Sequence, residues 1–353
     1  MRVSEQQLKE WLDNGITIVN VDCSGMDFSH MDMRGVIFEN VNLKNTLFHR
    51  NAFDESIFND CDFENARFIE CELNATLFNQ CNCSGVNHIN CQITKTSWSE
   101  SQFISTQFHS GLYQKAAFIK SYFHKTTFQQ LTATELVCTD TQLDETVFEQ
   151  CNLYKSIFYQ LDLRTCLFSH CELQNMVWTK SNLANHQFDG VNLSQSVFTE
   201  ADLTGASFKK ANLLQASFNG AKMSFVCMDE VQGKYAIFLE AQADHLSAKN
   251  ADFEQSIFVE GFFEQANFSQ SNLSLSVWQK ANATKANFDN CQFYFTDFSY
   301  ANLSEASFDG ATFNETRFHR AITTDQQLKK RAGVREKDDA LFEAELWSEQ
   351  YHA

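Results

Sequence analysis

The chain has 353 residues, a formal net charge of −18, 43% hydrophobic residues and no proline. Met1 to Gly15 lacks the apolar core of a signal peptide and no stretch approaches roughly 18 consecutive apolar residues, so a cytoplasmic chain without membrane contact is expected. The acidic balance argues against direct binding of nucleic acid or anionic lipid, and the lack of proline suits a backbone that is hydrogen-bonded nearly everywhere.

In chain order, residues 1–20 form the first element. Ser4-Glu5-Gln6-Gln7 has the form of a capping box and predicts a short helix through Trp11 and Leu12 that stops at Asn14-Gly15. Residues 21–320 then carry a large apolar residue at every fifth position without a slip in phase. Of the 60 positions whose numbers end in 3 or 8 from Cys23 to Phe318, 31 are Phe and 12 are Leu, against 35 Phe in the whole chain. Two positions earlier runs a column of small residues, as in Ala201, Ala206 and Ala211, and the residue between the two columns is usually polar, as in Asp202 and Asn212. Alternation of this kind places the two columns inside and the middle residue outside a short strand.

A longer period sets the number of strands per turn. The outward middle position is aliphatic in 10 of the 15 units spaced by twenty residues: Ile37, Ile57, Leu77, Val137, Ile157, Val177, Val197, Ile237, Ile257 and Val277. Twenty residues per coil means four five-residue units per coil and about 15 coils, hence a rod about 70 Å long at parallel-strand spacing. Segments such as Ala201-Asp202-Leu203-Thr204-Gly205 and Ala211-Asn212-Leu213 match the pattern A(D/N)LXX, and over about 300 residues the chain resembles the pentapeptide-repeat family. The resemblance implies an all-β, right-handed quadrilateral parallel β-helix with capping helices at both ends, and it implies no particular function.

Residues 221–250 are the least regular part of the array, with Met223, Met228, Gly233, Ala243 and Ala248 in the large column. Packing variation is the expected reading, a notch or kink the alternative. Residues 321–353 are expected to be a helical cap or a dimerisation element. Thr324-Asp325-Gln326-Gln327 repeats the capping signal, and a last helix from about Glu336 carries Leu341, Phe342, Leu346, Trp347 and Tyr351. Such an apolar face either covers the final coil or makes a homodimer, as a C-terminal element does in some members of the resembled family.

Chemistry-bearing residues are few. Eight of the 12 cysteines fall in the small inward column and three in the large one, which makes them reduced core residues. Cys81, Cys83, His88 and Cys91 supply four candidate zinc ligands facing inward, yet their spacing matches no common zinc motif, and His88 reads rather as a buried neutral imidazole hydrogen-bonded within its coil. No catalytic residue, metal or cofactor is expected. The chain therefore reads as a non-catalytic scaffold that presents the aliphatic stripe to a protein partner. Its N-terminal helix and Cys23-Ser24-Gly25-Met26-Asp27-Phe28 look like the start of pentapeptide arrays in accessory proteins of bacterial type VI secretion. The alternative is a DNA-mimicking protector or inhibitor of a topoisomerase such as gyrase, a role known in the resembled family. The charge of −15 over residues 21–320, about one per 5 Å, is about a third of the density of duplex DNA.

Overall fold

The computed structural model describes residues 3–351, with side chains described for residues 3–348, so the Tyr351 side chain lies outside the described residues. The chain is a parallel β-solenoid of about 16 coils with a helix at each end. It divides into two compact units, Met1–Ser181 and Asn182–Ala353. A coil has four walls of five residues each. In the coil 36–55 the first wall is 36–40, the second 41–45, the third 46–50 and the fourth 51–55.

In the first unit the walls are parallel sheets with a register of twenty. The first wall is a sheet of eight strands running from Ile18–Val19 through Ile37–Glu39 to Ile157–Tyr159, in which Ile37 pairs with Ile57 and Ile57 with Leu77. The third wall runs from Leu47–His49 to Leu167–Ser169. In the second unit most walls pair through one residue per coil, at the same spacing: Ile237 with Ile257, Ile257 with Val277, Asn212 with Gln232. Among the described residues no helix is long and apolar enough to cross a membrane.

The large column fills the interior in stacks. Phe108, Phe128, Phe148 and Phe168 follow one another at centroid distances of 4.5, 4.7 and 5.2 Å with nearly parallel rings. The second unit has its own run, Phe198, Phe218, Phe238, Phe258 and Trp278, at 5.1, 5.0, 4.9 and 4.0 Å. Each such pair adds about 0.5–1.5 kcal/mol beyond the burial of its area.

The small column has a polar task as well. A Ser or Thr there donates its hydroxyl to the backbone carbonyl of the large-column residue 23 positions earlier, as Thr76 does to Phe53 (2.8 Å), Thr96 to Leu73 (2.7 Å) and Ser271 to Ala248 (2.7 Å). Cysteines substitute in the same role: Cys71 donates to the Phe48 carbonyl and Cys151 to the Phe128 carbonyl, at 3.4 and 3.3 Å. The outward Asp and Asn residues close the turns. Asp22, Asn42 and Asp202 each accept a hydrogen bond from the backbone N–H two residues on, at 3.0, 3.1 and 3.0 Å, which is a standard way for these side chains to stabilise a turn.

At each corner one residue takes a left-handed backbone. From Asn20 to Arg320 every residue whose number ends in 0 or 5 has positive φ, with one exception, Thr165. The irregular stretch 221–250 keeps this rhythm and the ladder. Met223, Met228, Ala243 and Ala248 are fully buried, and a Cβ on Gly233 would sit 2.5 Å from the Phe253 ring, so the glycine makes room for a phenylalanine one coil later. Residues 221–250 therefore vary the packing while the coil keeps its register.

The ends differ in how far they follow expectation. The first helix, α1 (Glu5–Asp13), is capped by Ser4 and ends at Asn14. The second capping signal does not start an α-helix: Asp325 closes a local turn by accepting from the Gln327 N–H (2.8 Å), and only a 3-10 turn over Leu328–Lys330 follows. The chain then returns to the first wall, where Val334–Arg335 pairs with Thr316–Arg317 at a spacing of 18. This short coil is one more than the repeat count predicts, and the last helix, α2 (Asp339–Tyr351), begins three residues later than Glu336.

Candidate docking surface

The ten stripe residues occupy the first wall of their respective units. Ile37, Ile57, Leu77, Val137, Ile157 and Val177 belong to the first unit, and Val197, Ile237, Ile257 and Val277 to the second. All ten are half-buried or exposed, and none is in the core. Two gaps interrupt the first-unit stripe at Ser97 and Ala117, and Ser217 interrupts the second.

The second unit adds apolar residues that column counting misses. Its left-handed corner positions include Phe225, Tyr235, Leu275 and Phe295, with φ of 60, 60, 59 and 53° and exposures of 61, 47, 37 and 49%. A large side chain gains nothing from this backbone, which costs about 1 kcal/mol or more for residues other than Gly and, less strictly, Asn or Asp. Tyr235, Leu275 and Phe295 lie on the corner that leads from the fourth wall into the first. Two residues beyond Tyr235 and Leu275 come Ile237 and Val277, and the intervening coil presents Gln255 and Ile257. Tyr294 meets Phe295 edge-on with centroids 4.7 Å apart. Corner and wall thus form an apolar strip from Tyr235 to Val277, interrupted at Gln255, which Tyr294 and Phe295 extend by one coil beside Asp297. The twenty-residue spacing marks these as turn positions, but it does not show that their backbone is left-handed.

Phe225 lies on a different corner and stacks on His245 at 4.8 Å. Tyr300, also at a left-handed corner, is taken up by α2, since its hydroxyl donates to Glu345. Glu345 also accepts from Arg320 Nε at 2.6 Å and lies 3.2 Å from Nε2 of the buried His319. Asp338 adds a backbone N–H to His319 Nδ1 at 3.2 Å, and Phe342 is half-buried beneath the Lys337 ammonium, 3.8 Å from its ring. These contacts set α2 against its own last coils, with Leu341, Leu346 and Trp347 on its exposed side.

The acidic surface is interrupted by cations that bridge coils. Lys44 meets Asp62 and Glu64 at 3.0 and 2.7 Å. Lys234 meets Asp252 and Glu254 at 3.5 and 2.6 Å, and Lys280 meets Glu260 at 2.9 Å. Exposed pairs like these add little stability, but they break the field into patches.

The cysteines are all free thiols, buried except for the half-buried Cys171 and Cys227. Burial pushes the thiols of Cys23, Cys166 and Cys291 up to about 12, which leaves almost no thiolate for chemistry. Cys81, Cys83, His88 and Cys91 are not brought together as a ligand set among the described residues. Cys81 and Cys91 donate to the carbonyls of Phe58 and Phe68, both at 3.4 Å. The His88 ring is sandwiched between Phe68 and Phe108, 4.8 Å from each, with its Nδ1 unsatisfied. Burial alone pushes the His88 pKa down to about 3, so it is a neutral core residue. His186 is half-buried against Phe188, with centroids 5.5 Å apart.

Three family models match the chain: "Pentapeptide repeat region" over residues 141–218, "Pentapeptide repeats (8 copies)" over 249–276 and 286–322, and "Pentapeptide repeats (9 copies)" over 33–77. Together they span a little more than half of it. No curated protein matches the chain. Among solved structures it is similar to a trypsin-treated form of QnrB1, a plasmid-mediated fluoroquinolone resistance protein, with 18% identity over 50% of this chain and 97% of that one and a TM-score of 0.29. It is also similar to HetL, a pentapeptide repeat protein involved in heterocyst differentiation regulation from the cyanobacterium Nostoc sp. strain PCC 7120. There the identity is 17%, over 70% of this chain and 91% of that one, with a TM-score of 0.20.

Proposed function

The chain belongs to the pentapeptide-repeat family, and from that premise we propose that it is a non-catalytic docking scaffold whose partner seats on the first wall. The second unit supplies the main contact, through Ile237, Ile257 and Val277 together with the corner residues Tyr235, Leu275 and Phe295. One observation carries this reading: large apolar side chains stand exposed at left-handed corners, a backbone that disfavours residues of this kind. The partner is a protein with an apolar patch rimmed by basic groups, complementary to a chain of net charge −18.

The client we propose is a component or effector of a type VI secretion assembly. DNA mimicry has less support, because the cross-coil pairs at Lys44, Lys234 and Lys280 neutralise acidic groups that a mimic would hold in an even row. A gyrase supercoiling assay across salt concentrations is expected to show no effect.

The docking surface is tested by affinity capture from the source cell with wild-type protein and with the variant Ile237→Lys/Ile257→Lys/Val277→Lys. The partner identified with wild type is expected to bind this variant at least about 100-fold more weakly, since burying three unpaired ammonium groups is prohibitive. Undiminished capture would remove the first wall as the interface.

A further inference from the structure

The second wall of the first unit carries a group of metal-ligating side chains that the docking reading does not use. His124 ends the strand Tyr122–His124, and Asp144 ends the strand Gln142–Asp144 directly above it in register. Their side chains meet at 2.6 Å, Nδ1 to Oδ2. Glu145 follows at a corner with φ 47°, and one donor atom from each of the three lies within 4.8 Å of the other two. The ladder fixes both backbones, with Ser105 donating to the His124 carbonyl at 2.8 Å and Lys125 to the Asp144 carbonyl at 3.1 Å.

A second feature coincides with this group. Thr165, one coil on, is the single corner between Asn20 and Arg320 without a left-handed backbone. Its β-branched side chain disfavours that conformation. The hydroxyl is used instead: Thr165 Oγ1 accepts from the Glu145 N–H at 3.1 Å and stands 3.4 Å from the other carboxylate oxygen of Asp144. The irregular corner borders a cavity of about 800 Å³ lined by Asp140, Asp144, Gln160, Asp162, Arg164 and Thr165. Within it the Arg164 guanidinium is forked onto Asp162, at 2.9 and 2.6 Å.

We propose that His124, Asp144 and Glu145 bind a divalent first-row transition ion of the Zn²⁺ class, with Thr165 as the positioning residue and the cavity supplying water to the open coordination position. One imidazole and two carboxylates match the donor set of three-ligand sites that retain a water. The imidazole selects a borderline ion over Mg²⁺ or Ca²⁺, which prefer oxygen alone. Tetrahedral ligands lie about 3.3 Å apart at normal metal–ligand lengths, so His124 and Asp144 need to separate by less than about 1 Å. On binding, the proton between them leaves Nδ1, either for solvent or by a shift of the tautomer to Nε2, and Nδ1 becomes the ligand.

The test uses full-length, chelator-treated protein titrated with ZnCl₂ by isothermal titration calorimetry. One equivalent is expected to bind. His124→Ala and Asp144→Asn should each weaken binding by at least about 20-fold, with unchanged far-ultraviolet circular dichroism. His109→Ala, which removes an imidazole bonded to Gln129 on the third wall (3.1 Å), should leave the affinity unchanged. The absorption of Co²⁺ in place of Zn²⁺ gives a second readout, a tetrahedral ligand-field band that His124→Ala abolishes. Absence of stoichiometric binding by wild type, or binding that survives His124→Ala through other histidines, overturns the site.

Discussion

Between Asn20 and Lys180 the left-handed corners hold Asn, Gly, Asp, Glu, Gln, Lys and Ser, with Arg50, Ala75 and two histidines among them. Between Phe225 and Tyr300 the same backbone position holds two phenylalanines, two tyrosines and a leucine, alongside the usual polar residues. The corner φ lies near 50–60° in both units, so the demand of the coil on its corner residue is the same. The first unit meets that demand with residues that tolerate it or at least leave the corner wetted. The second departs from it at the corner beside its aliphatic wall. At Tyr235, Leu275 and Phe295 a departure from local preference that leaves 37–49% of the residue exposed points to something outside the fold, and a docked partner is the simplest such cause.

The largest effect expected on this contrast is on binding. Tyr235→Lys/Leu275→Lys/Phe295→Lys should abolish partner capture, whereas Glu55→Lys/Glu135→Lys/Asn175→Lys, at the equivalent corner of the first unit, should leave it within about threefold. Equal losses in the two would show that net charge, not the apolar corner, governs binding. Next comes an inward position that the first unit cannot change. Gly111 lies in the small column at φ 123°, and a Cβ there would collide with the Cys91 carbonyl. Gly111→Ala should cost about 3 kcal/mol or more, read as a fall in the urea midpoint.

A smaller effect concerns the interior of the first unit. His88 has its pKa pushed down to about 3, against about 6.5 in the unfolded chain. Between those values the unfolded chain binds a proton that the folded chain refuses. The protein therefore keeps its full stability above about pH 6.5 and loses it progressively as the pH falls toward 3. His88→Phe completes the Phe68–Phe108 stack and removes a buried unsatisfied nitrogen. It should add about 1 kcal/mol at pH 7 and more at pH 4.5, seen as a flatter dependence of Tm on pH.

The coil itself is legible in the sequence because its two inward columns each have one chemical requirement, volume for the Phe column and smallness for the other. Substitutions such as Gly233 against Phe253 obey the same rule one coil apart. The aliphatic stripe is legible because it repeats every twenty residues. The corner surface is not, since nothing about Tyr235 or Phe295 as residues says that their backbone is left-handed; that knowledge comes from the turn. The pairing of His124 with Asp144 was available as two residues twenty apart on one wall, but Glu145 joins them only through the corner that Thr165 breaks. The C-terminal signal at Thr324 misleads because Asp325 closes a turn and the chain is drawn back to pair at Val334–Arg335, which no local preference announces.

The claim that the second-unit corners serve docking and not folding is tested most directly by Tyr235→Asn/Leu275→Asn/Phe295→Asn, with urea unfolding and partner capture measured on the same preparation. The account predicts a midpoint raised by the equivalent of about 0.5–1 kcal/mol per site, together with loss of capture. A lowered midpoint with capture intact would mean that these side chains hold the coil together, and would contradict it.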